Sequence, residues 1–362
     1  MALHFHPLTV KRVTPDAAGS AAITFQVPPG LTDEFAFRPG QFLTLRATVD
    51  GQDLRRNYSI CSPAQRYAAT CEIDVGIKPV EGGLFSRWAV QSLKPGSIVD
   101  VMAPDGRFSP RAEGARHRVG FAAGSGITPI LSIMATTLAG EPHSRFTLVY
   151  CNQRANTIMF NEALQDLKDK YPARVALLHL LSRQPQEVAL LHGRLDEAKV
   201  RELLESLLPA SDIDEAFICG PESMIEGTER ALKAAGVAAD RIHAERFVPP
   251  GGAAPVRPRA PAAARLATGH AHQLDIVLDG KTHHLSMAAD DRVLDAALDA
   301  GLDLPYSCKG GVCCTCRARV LEGQVEMEKN FTLEKWEMDK GFVLTCQSRP
   351  LTAKVVVSYD ER

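Results

Sequence analysis

The chain has 362 residues, with 41 Lys and Arg against 43 Asp and Glu, for a formal net charge of −2. Charge this balanced excludes a basic nucleic-acid-coating surface and a disordered acidic tail, and a hydrophobic fraction of 45% is enough to fill several cores. The length favours two or three domains over one.

Residues 1–113 carry short alternating runs, among them Gln41-Phe42-Leu43-Thr44-Leu45-Arg46 and Cys71-Glu72-Ile73-Asp74-Val75, broken by Pro-Gly at 39–40 and 95–96 and Asp-Gly at 105–106. Period-two alternation between turn signals predicts an all-β domain. Two stretches in it invite a chemical reading. Arg56-Asn57-Tyr58-Ser59 opens a β run, and further on Lys78-Pro79-Val80-Glu81-Gly82-Gly83-Leu84-Phe85-Ser86 places glycines before a helix start, whose free backbone N–H groups suit a diphosphate. Read separately, each is also an ordinary strand and an ordinary turn.

Residues 114–248 change character. Apolar runs at 118–123, 146–150 and 216–219 alternate with helical patterns at 129–138, 161–170 and 221–235, the last closed by Gly236, which predicts a parallel α/β sheet. Gly124-Ser125-Gly126-Ile127-Thr128-Pro129 follows the first strand. Small residues there let a backbone approach a phosphate, and Pro in the first helical turn aims the helix N-terminus at the anion. Cys219-Gly220-Pro221 with Met224 likewise ends a strand and starts a helix, at the carboxyl edge where nucleotides bind such sheets. Alone, Cys219 would read as a small buried hydrophobe. Arg154 and Arg183 follow two further strands, where a 2′-phosphate could be met, although both also suit a solvated surface.

From residue 249 to about 272 the chain is dense in Pro, Gly and Ala, and its only charges before position 266 are Arg257, Arg259 and Arg265. This is a linker, with a random-coil reach of roughly 25–30 Å for ~24 residues, and it would let the last domain move between an internal donor and an outside partner. The remaining module, 273–362, has 15 acids against 11 bases.

That module holds the strongest signal. Cys308, Cys313 and Cys316, followed after 29 intervening residues by Cys346, give C-x4-C-x2-C…C, the spacing of plant-type [2Fe-2S] ferredoxins. Gly310 and Gly311 let the backbone close on the cluster so that amide N–H groups reach the sulfurs. Cys314 is assigned no metal, because the side chain next to a ligand should point away from it. A zinc site or structural thiols are the alternatives, but zinc prefers paired C-x2-C.

In chain order, Arg56-x-Tyr58-Ser59, Gly83-x-x-Ser86, Gly124-x-Gly126-x-Thr128-Pro129 and Cys219-Gly220-Pro221-x-x-Met224 resemble the ferredoxin-NADP reductase superfamily. The resemblance implies an antiparallel β-barrel FAD domain over 1–113, a Rossmann-like α/β nucleotide domain over 114–248 and, after the 249–272 linker, a β-grasp (α+β) ferredoxin domain over 273–362. It implies that Arg56 contacts the FAD diphosphate, Tyr58 stacks on the flavin, Ser59 bonds near flavin N5, and Gly83, Leu84 and Ser86 line the phosphate turn. Gly124, Gly126, Gly220 and Pro221 would cradle the nicotinamide nucleotide, with Thr128 and Cys219 beside the nicotinamide. Glu245-Arg246-Phe247 looks like the family's terminal Glu-x-aromatic, with Glu245 near the hydride path and Phe247 over the flavin. Ser59, Cys219 and Glu245 are then the catalytic candidates, NADPH the favoured donor with NADH open, and FAD and [2Fe-2S] the cofactors.

Whole-chain domain order narrows the resemblance to reductase components of multicomponent monooxygenases, carried by residues 54–61, 81–87, 191–194 and 304–313. Cys314, and Cys151 where a glycine is common, are the departures. This implies a di-iron oxygenase as partner, with ring-hydroxylating dioxygenases and steroid hydroxylases as other clients and a non-catalytic redox sensor as an alternative of another class. No basic leader or ~18-residue apolar run occurs, so a cytoplasmic protein with no membrane or nucleic-acid partner is expected.

Overall fold

A computed structural model describes residues 4–111, 114, 116–247 and 271–361. The chain separates into two compact units, Phe5–Arg246 and a mainly C-terminal one that begins at Phe247 and takes in His4.

The first unit opens with strands β1 (Phe5–Pro15), β2 (Ala21–Gln26), β3 (Phe42–Val49), β4 (Gln52–Ser59), β5 (Glu72–Ile77) and β6 (Ile98–Met102), in the sheet order β4-β3-β6-β1-β2-β5. All pairs are antiparallel. The sheet curls until its edges touch: Ile60 bridges Val75, and the Cys61 N–H donates to the Asp74 carbonyl at 2.9 Å. One bridge, and not a full ladder, draws the barrel together. Its interior is apolar, with Leu8, Val10, Ile23, Phe25, Leu43, Ile73 and Val75 fully buried. Helices α1 (Ala64–Thr70) and α2 (Leu84–Ser92) interrupt the strands. The alternation in 1–113 did not announce α1, which ends at Cys71 in a left-handed turn with φ 54°.

The rest of this unit is a parallel sheet of β7 (His117–Ala123), β8 (Arg145–Asn152), β9 (Val175–Leu181), β10 (Glu215–Cys219) and β11 (Ile242–Glu245), in the order β11-β10-β7-β8-β9. Period-two alternation sends side chains to both faces, and helices cover both. Helices α3 (Ile127–Gly140) and α4 (Asn161–Lys170) bury Ile130, Met134 and Leu164 against Phe146, Leu148 and Tyr150. On the other face, α5 (Glu197–Ser206) and α6 (Glu222–Ala234) bury Leu203 and Ile225 against Phe121, Val149 and Ile218. At the start of the strands Arg118, fully buried, pairs with Glu215 at 2.9 Å and Glu141 at 2.5 Å. Burial would raise the Glu215 pKa, but His243 at 3.3 Å, the Arg111 N–H at 2.9 Å and Arg118 hold it down at about 2.

The C-terminal unit is a mixed sheet, β13-β12-β18-β14-β16, of β12 (Ala271–Leu278), β13 (Lys281–Ala288), β14 (Arg317–Glu322), β16 (Phe342–Leu344) and β18 (Lys354–Ser358). A two-stranded ladder of β15 (Val325–Met327) with β17 (Ser348–Pro350) stands beside it. The helix Val293–Asp299 buries Val293, Leu294, Ala296 and Ala297 in the same core as Leu274, Ile276, Val355 and Val357, giving the α+β ferredoxin fold. β12 starts at Ala271, so the last two residues of the stretch read as linker are strand, paired with Ala288 and Met287. The remainder of that linker lies outside the described residues.

Candidate functional site

The strand order reverses between β7 and β10, so the loops leaving their carboxyl ends diverge and open a crevice. The first loop is a tight turn, Gly124–Gly126, running straight into α3. A Cβ on Gly126 would stand 2.1 Å from the Cys219 carbonyl oxygen, so only glycine lets the two loops lie against each other. Tyr150, fully buried on β8, donates its hydroxyl to the Gly124 carbonyl at 2.8 Å and fixes the turn from below. The Thr128 hydroxyl donates to the Ser125 carbonyl at 3.0 Å, so it braces the same turn.

Three expected residues meet beside this crevice. Glu245 lies opposite Cys219 in the β10–β11 register. Ser59, buried at the end of β4, donates to Glu245 Oε2 at 3.3 Å, so a barrel strand and the last strand of the parallel sheet meet at one hydrogen bond. Glu245 is half-buried as a residue, but its carboxyl is the enclosed part, and burial raises its pKa to about 8 despite the Ser59 hydroxyl. Burial, reinforced by that carboxyl, holds the Cys219 thiol protonated. The group therefore presents a neutral acid, a hydroxyl and a neutral thiol at neutral pH.

On the barrel, Arg56 and Tyr58 share one face of β4. Arg56 is exposed and anchored by its guanidinium to the Arg55 carbonyl at 2.7 Å, and the Tyr58 ring lies 5.9 Å from that of Phe85 on α2. The turn before α2 is built by Gly82 at φ 72°, by the Gly83 N–H donating to the Val80 carbonyl at 2.9 Å, and by Ser86 Oγ accepting the Val80 N–H at 3.1 Å. Gly83 caps the helix without a side chain, which leaves the first N–H groups of α2, from Leu84 onward, open to an anion. Gly220 and Pro221 lead from β10 into α6. Ser182 and Arg183 donate their N–H groups to the Asn152 and Gln153 carbonyls, both at 2.9 Å, so exposed Arg154 and Arg183 leave neighbouring loops. Phe247 is 43% exposed at the end of the described segment.

Lys78 stands at the head of the glycine turn, and no local pattern singles it out as a binding residue. It is half-buried and makes no hydrogen bond or ion pair among the described residues. Its Nζ lies against the turn after β7, 3.8 Å from where a Gly124 Cβ would be. A half-buried cation with no counter-charge is poised for an anionic ligand.

In the C-terminal unit the four cysteines form two pairs. Cys308 interacts with Cys313, and Cys316 with Cys346. The Cys313 thiol donates to Cys308, and with the Gly310 N–H at 3.3 Å it brings the Cys308 pKa down to about 6. Among the described residues no three His, Cys, Asp or Glu side chains gather around a single-ion site. Two pairs of thiols, one per iron, with N–H groups aimed at sulfur, suit a two-iron cluster. Gly311 at φ 81° is required by close approach, since a Cβ there would stand 3.0 Å from the Lys329 carbonyl oxygen. Cys314 turns away at φ 59°, its sulfur 3.3 Å from Thr332 Oγ1 and buried in the core.

A curled barrel with a diphosphate turn, a parallel sheet with a nucleotide crevice and a four-thiol loop define a flavin- and nicotinamide-dependent reductase with an iron–sulfur module. Residues 9–109 match the oxidoreductase FAD-binding domain, 121–230 the oxidoreductase NAD-binding domain and 276–351 the 2Fe-2S iron-sulfur cluster binding domain. The chain is 46% identical to a component chain of the 1,2-phenylacetyl-CoA epoxidase of Escherichia coli (strain K12), over 99% of this chain and 98% of that one. It is 34% identical to the ferredoxin reductase component of 3-ketosteroid-9-alpha-monooxygenase of Rhodococcus rhodochrous, over 97% and 96%. The solved phthalate dioxygenase reductase shares the fold at a TM-score of 0.59 and 21% identity, covering 98% of each chain. The chain thus belongs to the family of oxidoreductases that join an FAD-binding, an NAD-binding and a C-terminal 2Fe-2S domain, and it takes FAD, NAD(P)H and a [2Fe-2S] cluster. No helix among the described residues is long and apolar enough to cross a membrane.

Proposed function

We propose that this chain is the NADPH-oxidising reductase component of a phenylacetyl-CoA 1,2-epoxidase, delivering electrons to its di-iron oxygenase in the cytoplasm during phenylacetate breakdown. The observation that carries the choice of client is the 46% identity to the Escherichia coli epoxidase component, which runs through all three modules over 98% of that protein.

Bound FAD supplies the conversion of a two-electron hydride into single electrons that a [2Fe-2S] cluster accepts. The protein's part is to bind and orient. Arg56 and the N-terminus of α2 at Gly83, Leu84 and Ser86 hold the FAD diphosphate, and Tyr58 offers its ring to the flavin. Gly124, Gly126, Gly220 and Pro221 let the nicotinamide nucleotide lie close to the backbone, Lys78 meets its phosphate charge, and Arg154 and Arg183 meet a 2′-phosphate. Thr128 keeps the first turn rigid beside Cys219. Ser59 and the protonated Glu245 keep the hydride path free of negative charge and hold a proton at Glu245 Oε2 or Oε1, while Phe247 covers the flavin face. Cys308, Cys313, Cys316 and Cys346 hold the cluster.

The test is anaerobic titration of the reconstituted chain with NADPH, then mixing with the purified di-iron oxygenase, its CoA thioester substrate and dioxygen. Flavin and cluster bleaching followed by NADPH-dependent product supports the assignment. Bleaching without product, but with turnover of a steroid or ring-hydroxylating oxygenase, transfers it to that client.

A further inference from the structure

We propose that Gln347 is a positioning residue that sets the reduction potential of the cluster, through a side-chain hydrogen bond to the sulfur of Cys346. The inference rests on the reading of Cys308, Cys313, Cys316 and Cys346 as cluster ligands.

Gln347 follows the last of these cysteines and is 2% exposed. Its Nε2 lies 2.9 Å from the Lys309 carbonyl, 2.9 Å from the Cys346 carbonyl and 3.5 Å from Cys346 Sγ. Two carbonyls can only accept, so they fix which end of the amide faces the loop: it is the NH2 end, and its two hydrogens are shared among three acceptors. The other end bears the cost. Gln347 Oε1 is buried without a partner, and an unsatisfied buried acceptor is destabilising. A residue kept for packing alone would be as well served by Leu or Met, which leave no orphan.

The contacts also define where the side chain acts. Lys309 lies within the loop that carries the Cys308–Cys313 pair, and Cys346 belongs to the other pair, so one amide ties both halves of the thiol set together. Cγ of Gln347 would be 3.5 Å from a Cβ on Gly311, which places the side chain along the loop. Adding one electron to the cluster increases the negative charge that its sulfurs share. A neutral N–H donor at sulfur stabilises the more negative state and raises the potential.

The test compares wild type with Gln347→Met, reading iron content, visible absorbance and the midpoint potential of the cluster by EPR-monitored titration. The variant is expected to hold the same iron with a lower potential. At a fixed potential its oxidised-to-reduced ratio should rise up to about tenfold, and tenfold is about 59 mV for a one-electron couple. An intact cluster with an unshifted potential overturns the proposal. Should Gln347→Met fail to hold iron, wild type decides: protein labelled with 15N in the glutamine side chain either shows a hyperfine coupling of that nitrogen to the reduced cluster, as expected, or shows none, which refutes the contact. Failure of the underlying ligand reading looks different, since Cys346→Ala would then retain full iron and an unchanged spectrum.

Discussion

Glu245→Gln separates the buried carboxyl from every other feature of the crevice, because the amide keeps the shape and still accepts from Ser59. In the folded wild type the Glu245 pKa is about 8, against an ordinary 4.5, because the carboxyl is enclosed. The folded state therefore binds a proton that the unfolded chain has already lost between these two values. Stability contributed by this group is complete below pH 4.5, declines as pH rises and is lost by pH 8, with a slope of about 1.4 kcal/mol per pH unit. From pH 6 to pH 8 wild type should lose about 2 kcal/mol relative to the Gln variant, allowing for partial ionisation near the midpoint. Chemical denaturation of both proteins across pH 6–9, with salt held constant, measures the difference directly. The gap between the two curves should change steadily and then level off above pH 8. Parallel curves would mean that Glu245 is ionised in the folded protein, and the neutral-acid reading of the crevice would fail.

Four other outcomes test the remaining assignments. Gly126→Ala should force apart the loops after β7 and β10, since the new methyl would meet the Cys219 carbonyl at 2.1 Å; nucleotide affinity and thermal midpoint should both fall, by about 1–3 kcal/mol in stability. Lys78→Met should raise the KM for NADPH about tenfold with little change in kcat, the signature of lost uniform binding, and the loss should shrink at high salt. Arg183→Ala should cost NADPH more than NADH in kcat/KM, and equal losses would remove Arg183 from the 2′-phosphate site. Cys314→Ser should retain the iron content and visible spectrum of wild type, whereas Cys313→Ser should lose them, as measured by iron analysis.

What was legible in the sequence followed from local rules. The parallel sheet was written in apolar runs closed by helix starts, and the cysteine loop in a spacing that only a backbone wrapped around a cluster needs. The alternating runs at 41–46 and 71–75 became β3 and β5, but nothing in 1–113 announced α1, whose Ala64–Thr70 segment has no apolar stripe and is held from two sides: Tyr67 is buried in the barrel core, and the Ala64 N–H donates to Thr136 Oγ1 at 3.0 Å. Lys78 was unreadable for a related reason. A lysine after a strand is ordinary until the fold brings a glycine turn from another domain over it. Gln347 was hidden likewise, because an amide beside a cysteine says nothing about which carbonyls will orient it.

The two units meet one electrostatic problem in opposite ways. Each encloses groups that can carry negative charge. In the crevice, burial raises the affinity of Glu245 and Cys219 for protons, so both are neutral at neutral pH. In the cysteine loop the sulfurs must stay anionic to hold metal, and N–H donors take the place of protons: the Gly310 backbone at Cys308 and the Gln347 side chain at Cys346. Exchanging the strategies would defeat both sites. An ionised carboxyl enclosed in the crevice would lose the water that stabilises its charge, and protonated thiols would not hold a cluster. The reading of position 245 turns on a proton and that of position 347 on an N–H donor, so substitutions that conserve volume while changing the proton or the donor are the ones that test them.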